Sequence, residues 1–453
     1  MARRKRKRQR RITQASAVIG PADGSLERIL SEKEFLPLLV SSAQPFFRLT
    51  NFLVSTSPTT WSESHMFSLL TEANVLESFL DDFDARNNGV FTYLTELVAS
   101  LRGFANAAHA LQHLQRRYPK YGVEDPAGVS FEPLLADAIE WTTVSISKLL
   151  KELYQESEAR GIPIPREAVG DRHFPSAFAR LRLPRTADEE DVADEQQRIA
   201  EVASKYLKTC DLIEGIGIEK ISDPIRLRHF VAKSCSEEKA RFYEAGVHNL
   251  QSKYDTYIKN TAFEAKDANL RPLRGYISVS LHLLEYVTHL VHFYERHEND
   301  IRSEKTKQRI ARIIVKGEVL DNAINFGLCC AAGFLRRGRA HAQAIFPAYT
   351  RLRVETLQVP NGTTLHLRPA TLIYKVAAHY GTPVQMRIGV SDWIDAGSPI
   401  RVAVAFGMNP EAREVVFRAD EAVLRDYRAL FDCGLGEGPG GLDQLPERLS
   451  YLR

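Results

Sequence analysis

The sequence predicts a multidomain chain: a large all-α helical region followed by a small α+β domain with the element order βαββαβα. Three observations carry this prediction. Apolar residues recur at three- and four-residue spacing from about residue 24 to 345, the period of helices that bury one face. Alternating period-two runs occur only after residue 350, where they are interleaved with helical ones. Stretches rich in proline or glycine at 161–191 and 434–441 punctuate the pattern. A chain of 453 residues can bury one large core, but two or three domains are the expectation. The division read from these signals is a basic disordered tail at 1–22, helical regions at 23–160 and 195–345 joined by a loop or linker at 161–194, an α+β domain at 351–433 and a glycine-rich flexible tail at 434–453.

Helical windows are expected at 26–52, 67–80, 91–114, 131–154, 196–216 and 224–258. A stripe of Ile277, Leu281, Leu284, Val287, Val291 and Tyr294 follows, then a helical stretch from about 304 to 344. That makes about eight long helices, packed as an α-helical assembly. Pro163, Pro165, Pro175 and Pro184, with an acidic patch at 188–191, suit a connection between two helical layers. The most apolar segment, 324–335, includes Asn325 and two glycines and falls short of the roughly 18 apolar residues that mark a membrane-spanning helix. It reads as a buried core helix, and the chain as not transmembrane. The basic start is not followed by the apolar core of a secretory leader. The five cysteines, Cys210, Cys235, Cys329, Cys330 and Cys433, show no metal-ligand spacing, the pattern of a reducing, cytoplasmic setting without a disulfide framework.

Charge is distributed unevenly. Residues 1–11 carry eight Lys or Arg, so the overall +3 leaves −5 for everything after them. The body is therefore mildly acidic, which argues against a nucleic-acid surface. The tail reads first as a solvated leader without a specific partner, as no aromatic residue interleaves the basic ones; weak, salt-dependent contact with nucleic acid or anionic lipid through phosphates is the alternative.

Within the α+β region, 352–359 is strand-like and Asn361-Gly362 breaks it. Residues 367–378 place Ala370, Ile373, Tyr374 and Ala377 at helical spacing; 384–388 alternates as a strand, with a short segment around 391–394. Ser398-Pro399 looks like an N-cap followed by proline at the first helical position, opening a helix at 400–406. A strand at 414–418 precedes an amphipathic helix at 420–431 with Val423, Leu424, Tyr427, Leu430 and Phe431 inward.

The chemistry concentrates at Leu365-His366-Leu367-Arg368-Pro369-Ala370, where a loop opens a helix. The first amides of a helix lack partners within it and its macrodipole is positive there, so an anion is stabilised at that point. Arg368 adds a planar fork of donors suited to phosphate oxygens. Pro369 is tolerated because first-turn amides are orphans in any case. The imidazole of His366 is a competent nucleophile beside these donors. An ordinary turn with a surface histidine is the competing reading of the hexapeptide alone.

This motif and its element order resemble HPr, the histidine phosphocarrier of the phosphoenolpyruvate-dependent phosphotransferase system, over about the last fifth of the chain; the helical region resembles no family. The resemblance implies an open-faced sandwich in which His366 is the phosphoacceptor and Arg368, with the amides of Leu367 and Arg368, stabilises the phosphoryl group. It implies an enzyme I-like phosphodonor, a protein acceptor and no cofactor. It places the docking surface on the short second helix, at Ile400, Val402, Val404 and Phe406, and a regulatory serine nearest Ser398, where a plain helix cap competes. The chain departs from the family in having Leu367 between His and Arg, Thr363 and Thr364 inserted, and Pro399 at a docking position.

The expectation is a cytoplasmic bacterial phosphocarrier or phosphotransfer-regulatory protein, not a stand-alone enzyme, in which a helical partner-binding region carries the carrier domain. The alternative is a degenerate HPr-like interaction module without phosphoryl transfer. A metal site is not expected. His282, Glu285, His289 and His292 share one helix face but lack the matching carboxylates that a di-metal bundle needs, and His109 and His113 form only an i, i+4 pair. Asp84, Asn88 and Gly89 imitate part of a calcium loop, whereas Arg86 and Thr95 stand where carboxylates are required.

Overall fold

The computed structural model describes residues 29–170, 173–174, 192–296, 303–437 and 441–453. The basic tail, most of the proposed linker and part of the glycine-rich segment lie outside these residues. The chain is mostly helical, with a small four-stranded antiparallel sheet near the C-terminus.

Four helices come first: α1 (Glu32–Ser55), α2 (Glu63–Asp82), α3 (Thr92–Arg117) and α4 (Phe131–Ala159). The start of α1 is set by a capping box, in which the Ser31 hydroxyl accepts from the Glu34 N–H and Glu34 reaches back to the Ser31 N–H. After the linker come α5 (Val192–Glu214), α6 (Pro224–Ser234), α7 (Glu237–Tyr257), α8 (Ala262–Lys266) and α9 (Leu270–Glu295). The helical region closes with α10 (Glu304–Ile313), α11 (Lys316–Leu320), a π-helical segment (Asp321–Leu328) and α12 (Cys329–Ala348). Eight of these helices reach twenty residues or more.

Two windows expected to be continuous are divided. The 224–258 stretch breaks at Cys235 because Ser236 starts a new helix, its hydroxyl accepting from the Lys239 N–H with two glutamates in the first turn. The 304–344 stretch is interrupted by extended residues Ile314 and Val315. Residues 324–335 are core, with Ile324, Leu328, Phe334 and Leu335 at most 1% exposed. Packing there is close enough that a Cβ on Gly338 would overlap the Tyr206 hydroxyl, which donates to Leu335 O at 2.9 Å. The described part of the linker is not loose: Ile162 is buried, and the Val169 N–H donates to Arg48 O at 3.1 Å.

The C-terminal unit runs β1 (Leu352–Gln358), α13 (Leu367–Tyr380), β2 (Gln385–Arg387), β3 (Ile394–Asp395), α14 (Pro399–Met408), β4 (Glu414–Asp420) and α15 (Glu421–Asp432). The sheet order is β1-β4-β2-β3, with Leu352 opposite Asp420 and Gln385 opposite Arg418. Alternation decides the faces: Leu357 on β1 and Val415, Phe417 and Ala419 on β4 are buried under the helices, whereas Leu352 and Val354 on the opposite face are exposed. Ile373, Val376, Val402, Phe406, Tyr427 and Leu430 complete this second core.

The expectation of a flexible tail at 434–453 is corrected in its described part. Leu435, Leu445, Leu449 and Leu452 are at most 3% exposed and belong to the same core. A buried carboxylate fastens the wrap: Asp426 accepts from Tyr380 and Tyr451 hydroxyls at 2.9 and 2.7 Å and from Arg448 at 2.6 Å. Glycine content marked this stretch as loose, whereas its leucines supply the apolar burial that holds it. At the far end of α13, Gly381 O accepts from the Ser204 hydroxyl of α5 at 3.1 Å.

Candidate functional site

His366 is the N-cap of α13, in extended conformation (φ −139°). Caps are usually Ser, Thr, Asp or Asn. Here the imidazole takes that part, its Nδ1 accepting the Arg368 N–H at 3.3 Å. An accepting Nδ1 assigns the proton of the neutral ring to Nε2. Nε2 faces Glu437 Oε1 at 3.4 Å, and Arg368 Nε lies 3.7 Å from the same oxygen. His366 and Arg368 are about half exposed, at 47% and 52%. Imidazole, guanidinium and helix start thus share one open surface point with a carboxylate supplied from beyond α15.

The surroundings orient this point. Leu365 is buried beneath it, and its N–H donates to Pro410 O at 3.2 Å. That bond seats the His366 end of α13 beside the C-terminal end of α14. Leu367 projects outward at 70% exposure.

The four expected docking residues do not act alike. Ile400 and Val404 are exposed at 75% and 54%, but Val402 and Phe406 are fully buried. This corrects the expectation for the latter two: the helix has one inward face, and residues 402 and 406, four apart, occupy it. The exposed row instead continues from Ile400 and Val404 to Met408, 77% exposed. Met408 was legible as the next i+4 position and was missed because the expected helix stopped at 406. Ser398 occupies the N-cap position of α14, yet its hydroxyl makes no capping bond. The turn is held instead by Asp395, whose carboxylate accepts the Gly397 N–H at 2.9 Å. Glu437 was not expected at the site either, and no local sequence signal could have placed it there.

Three histidines of the helical region, His282, His292 and His113, each pair with a different carboxylate. His282 Nδ1 pairs with Glu285 at 2.7 Å, His292 Nδ1 with Glu237 at 2.7 Å, and His113 Nδ1 with Glu63 at 3.0 Å. Burial pushes the Glu63 carboxyl upward, but hydrogen bonds from His113 and Arg116 outweigh it and hold the group down at about 2. Among the described residues, no group of three or more His, Cys, Asp or Glu is arranged to hold a metal ion.

His289, on the same face, carries a testable consequence. Burial, aided by Arg102 and Arg241, depresses its imidazole to about 4 against the pull of Glu285. The unfolded chain binds that proton below about 6.5 and the folded chain only below about 4, so stability is present above 6.5 and lost as pH falls between these values. The loss expected is about 2–3 kcal/mol. His289→Gln should remove that slope from thermal melts recorded between pH 7 and 4; an unchanged slope would assign it elsewhere.

No family model, curated protein or solved structure matches the chain. No helix among the described residues is long and apolar enough to cross a membrane.

Proposed function

We propose that the C-terminal unit is a histidine phosphoacceptor of the HPr type, carried by a helical region that binds partner proteins. The observation that carries this reading is the imidazole of His366 capping α13, with Nδ1 directed at the Arg368 amide and the Arg368 guanidinium alongside. In the step proposed, the Nδ1 lone pair bonds to phosphorus of a donor phosphohistidine, and the bond from phosphorus to the donor nitrogen breaks and returns its electron pair to the donor ring. The Arg368 N–H that now meets Nδ1 is then free to meet a phosphoryl oxygen. Phosphoryl transfer involves charge spread over three oxygens, and positioned donors rather than covalent protein chemistry do most of the stabilising. Ile400, Val404 and Met408, with Leu367, would form the apolar ridge on which donor and acceptor dock.

A second reading, an interaction module without phosphoryl transfer, is favoured by one observation: Leu367, between the two site residues, is a large apolar group largely in solvent. One experiment separates the readings. Full-length protein and His366→Ala are incubated with phosphoenolpyruvate and enzyme I, with an authentic HPr as positive control. Acid-labile phosphate on the wild type that disappears in His366→Ala supports the carrier. Its absence from the wild type, from several enzyme I sources that all label the control, supports the module.

A further inference from the structure

The carboxylate of Glu437 is not part of the nucleophile-and-arginine pair that the motif supplies. It comes from the segment after α15, which packing holds against α13. Gly434, Leu435 and Gly436 all take left-handed backbone, with φ of 73°, 55° and 77°. Such a conformation is unusual for leucine, and here Leu435 is fully buried in the domain core. Gly436 is pressed so closely on α13 that a Cβ would come within 2.7 Å of Leu372. The Glu437 N–H then donates to Gly434 O at 2.9 Å. This tight turn delivers Glu437 Oε1 to 3.4 Å from His366 Nε2 and 3.7 Å from Arg368 Nε. Gly441 also lies at this guanidinium: a Cβ on it would be 3.5 Å from Arg368 Nη2.

We propose that Glu437 is a resident counter-anion that competes with the phosphoryl group for Arg368, so that the wrapped C-terminal segment restrains phosphorylation of His366. The inference rests on the phosphoacceptor reading above and concerns regulation of that same site. The arginine now serves a carboxylate carrying one negative charge. A phosphoryl group on Nδ1 brings a charge of about −2 to the same neighbourhood. Both anions cannot use one guanidinium as fully as either alone, and they repel each other across a few Å of half-exposed surface. One opposing effect must be weighed: Glu437 also faces the Nε2 proton and favours the ring cation formed as Nδ1 bonds to phosphorus. The ring gains at most one positive charge, whereas the phosphoryl group carries about two negative ones, and the arginine is lost in addition. Restraint therefore outweighs assistance. In a carrier this has a use, because a phosphohistidine held less tightly passes its group on more readily.

The test uses full-length protein and potassium phosphoramidate, a small donor that needs no docking surface. The imidazole nitrogen bonds to phosphorus, the P–N bond of phosphoramidate breaks, and ammonia leaves with a proton from solvent. Wild type, Glu437→Gln, Glu437→Ala and His366→Ala are followed by phosphorus NMR, with thermal melts to establish that each is folded. Both Glu437 variants should be phosphorylated at His366 about threefold to tenfold faster than wild type at low salt, the gap closing as ionic strength rises and screening removes the repulsion. A gap that ignores salt, or variants labelled at the wild-type rate or slower, would overturn the inference while leaving the phosphoacceptor reading intact. No His366-dependent label in any of these proteins, with an HPr control labelled, would remove both.

Discussion

Arg368→Ala is expected to accept a phosphoryl group from enzyme I about 100-fold more slowly than wild type, the scale seen when one preorganised donor is removed from a developing oxyanion. The loss should fall on the rate of the chemical step and not on binding of the donor protein. Arg368 lies two residues from His366, 3.7 Å from a carboxylate already drawn to its charge, and is half in solvent, so its removal creates no cavity. Thermal stability should therefore change by less than about 0.5 kcal/mol. Arg368→Lys is expected to recover only part of the rate, because an ammonium keeps the charge but loses the planar fork. Quenched-flow labelling across a range of enzyme I concentrations separates the two quantities. An Arg368→Ala protein that transfers at the wild-type rate would leave the helix amides as the sole stabilising donors and remove the arginine from the mechanism.

The second large effect is expected on α14, where neighbouring apolar residues lie on opposite faces. Phe406→Asp should unfold the C-terminal unit. Truncating a buried phenylalanine costs about 3–5 kcal/mol, and placing a carboxylate in the vacated apolar site adds a desolvation penalty. Phe406 is fully buried in the second core, so nothing there can pair with the new charge. Ile400→Asp, at a side chain 75% exposed, should leave the fold intact and weaken only the apolar ridge. Hydrogen exchange over β4 and α13 would report the first, as loss of protection. The second should keep labelling by phosphoramidate but lose labelling by enzyme I. Equal behaviour of the two variants would mean that α14 is oriented differently from the arrangement described here.

The geometry of the candidate site was legible where its parts are close in sequence. His366, Arg368 and Pro369 lie within four residues, and the unsatisfied amides of a helix start follow from backbone chemistry alone. The same locality explains the strands: Val415, Phe417 and Ala419 alternate toward the core because successive residues of a strand point to opposite faces. Docking residues were read less well. Ile400, Val402, Val404 and Phe406 are all apolar, and composition alone does not say which side of a short, nearly all-apolar helix meets the sheet. Only the packing of α14 against α13 decided that 402 and 406 face inward while 400, 404 and 408 face out.

The long helical windows of residues 24–345, the order of strands and helices after 350 and the His366–Arg368 pair are properties of local periodicity and backbone geometry, and the sequence by itself determined them. Tertiary structure decided the rest. It divided the 224–258 window at a serine cap and gave His282 and His292 of the α9 face separate carboxylates, Glu285 and Glu237. It also turned a glycine-rich stretch into part of the core through Leu435, Leu445, Leu449 and Leu452. The carboxylate of Glu437 at the imidazole of His366, seventy-one residues away in the chain, belongs to that second group. Such contacts depend on the whole fold closing, and no local pattern encodes the distance between two residues that only the fold brings together.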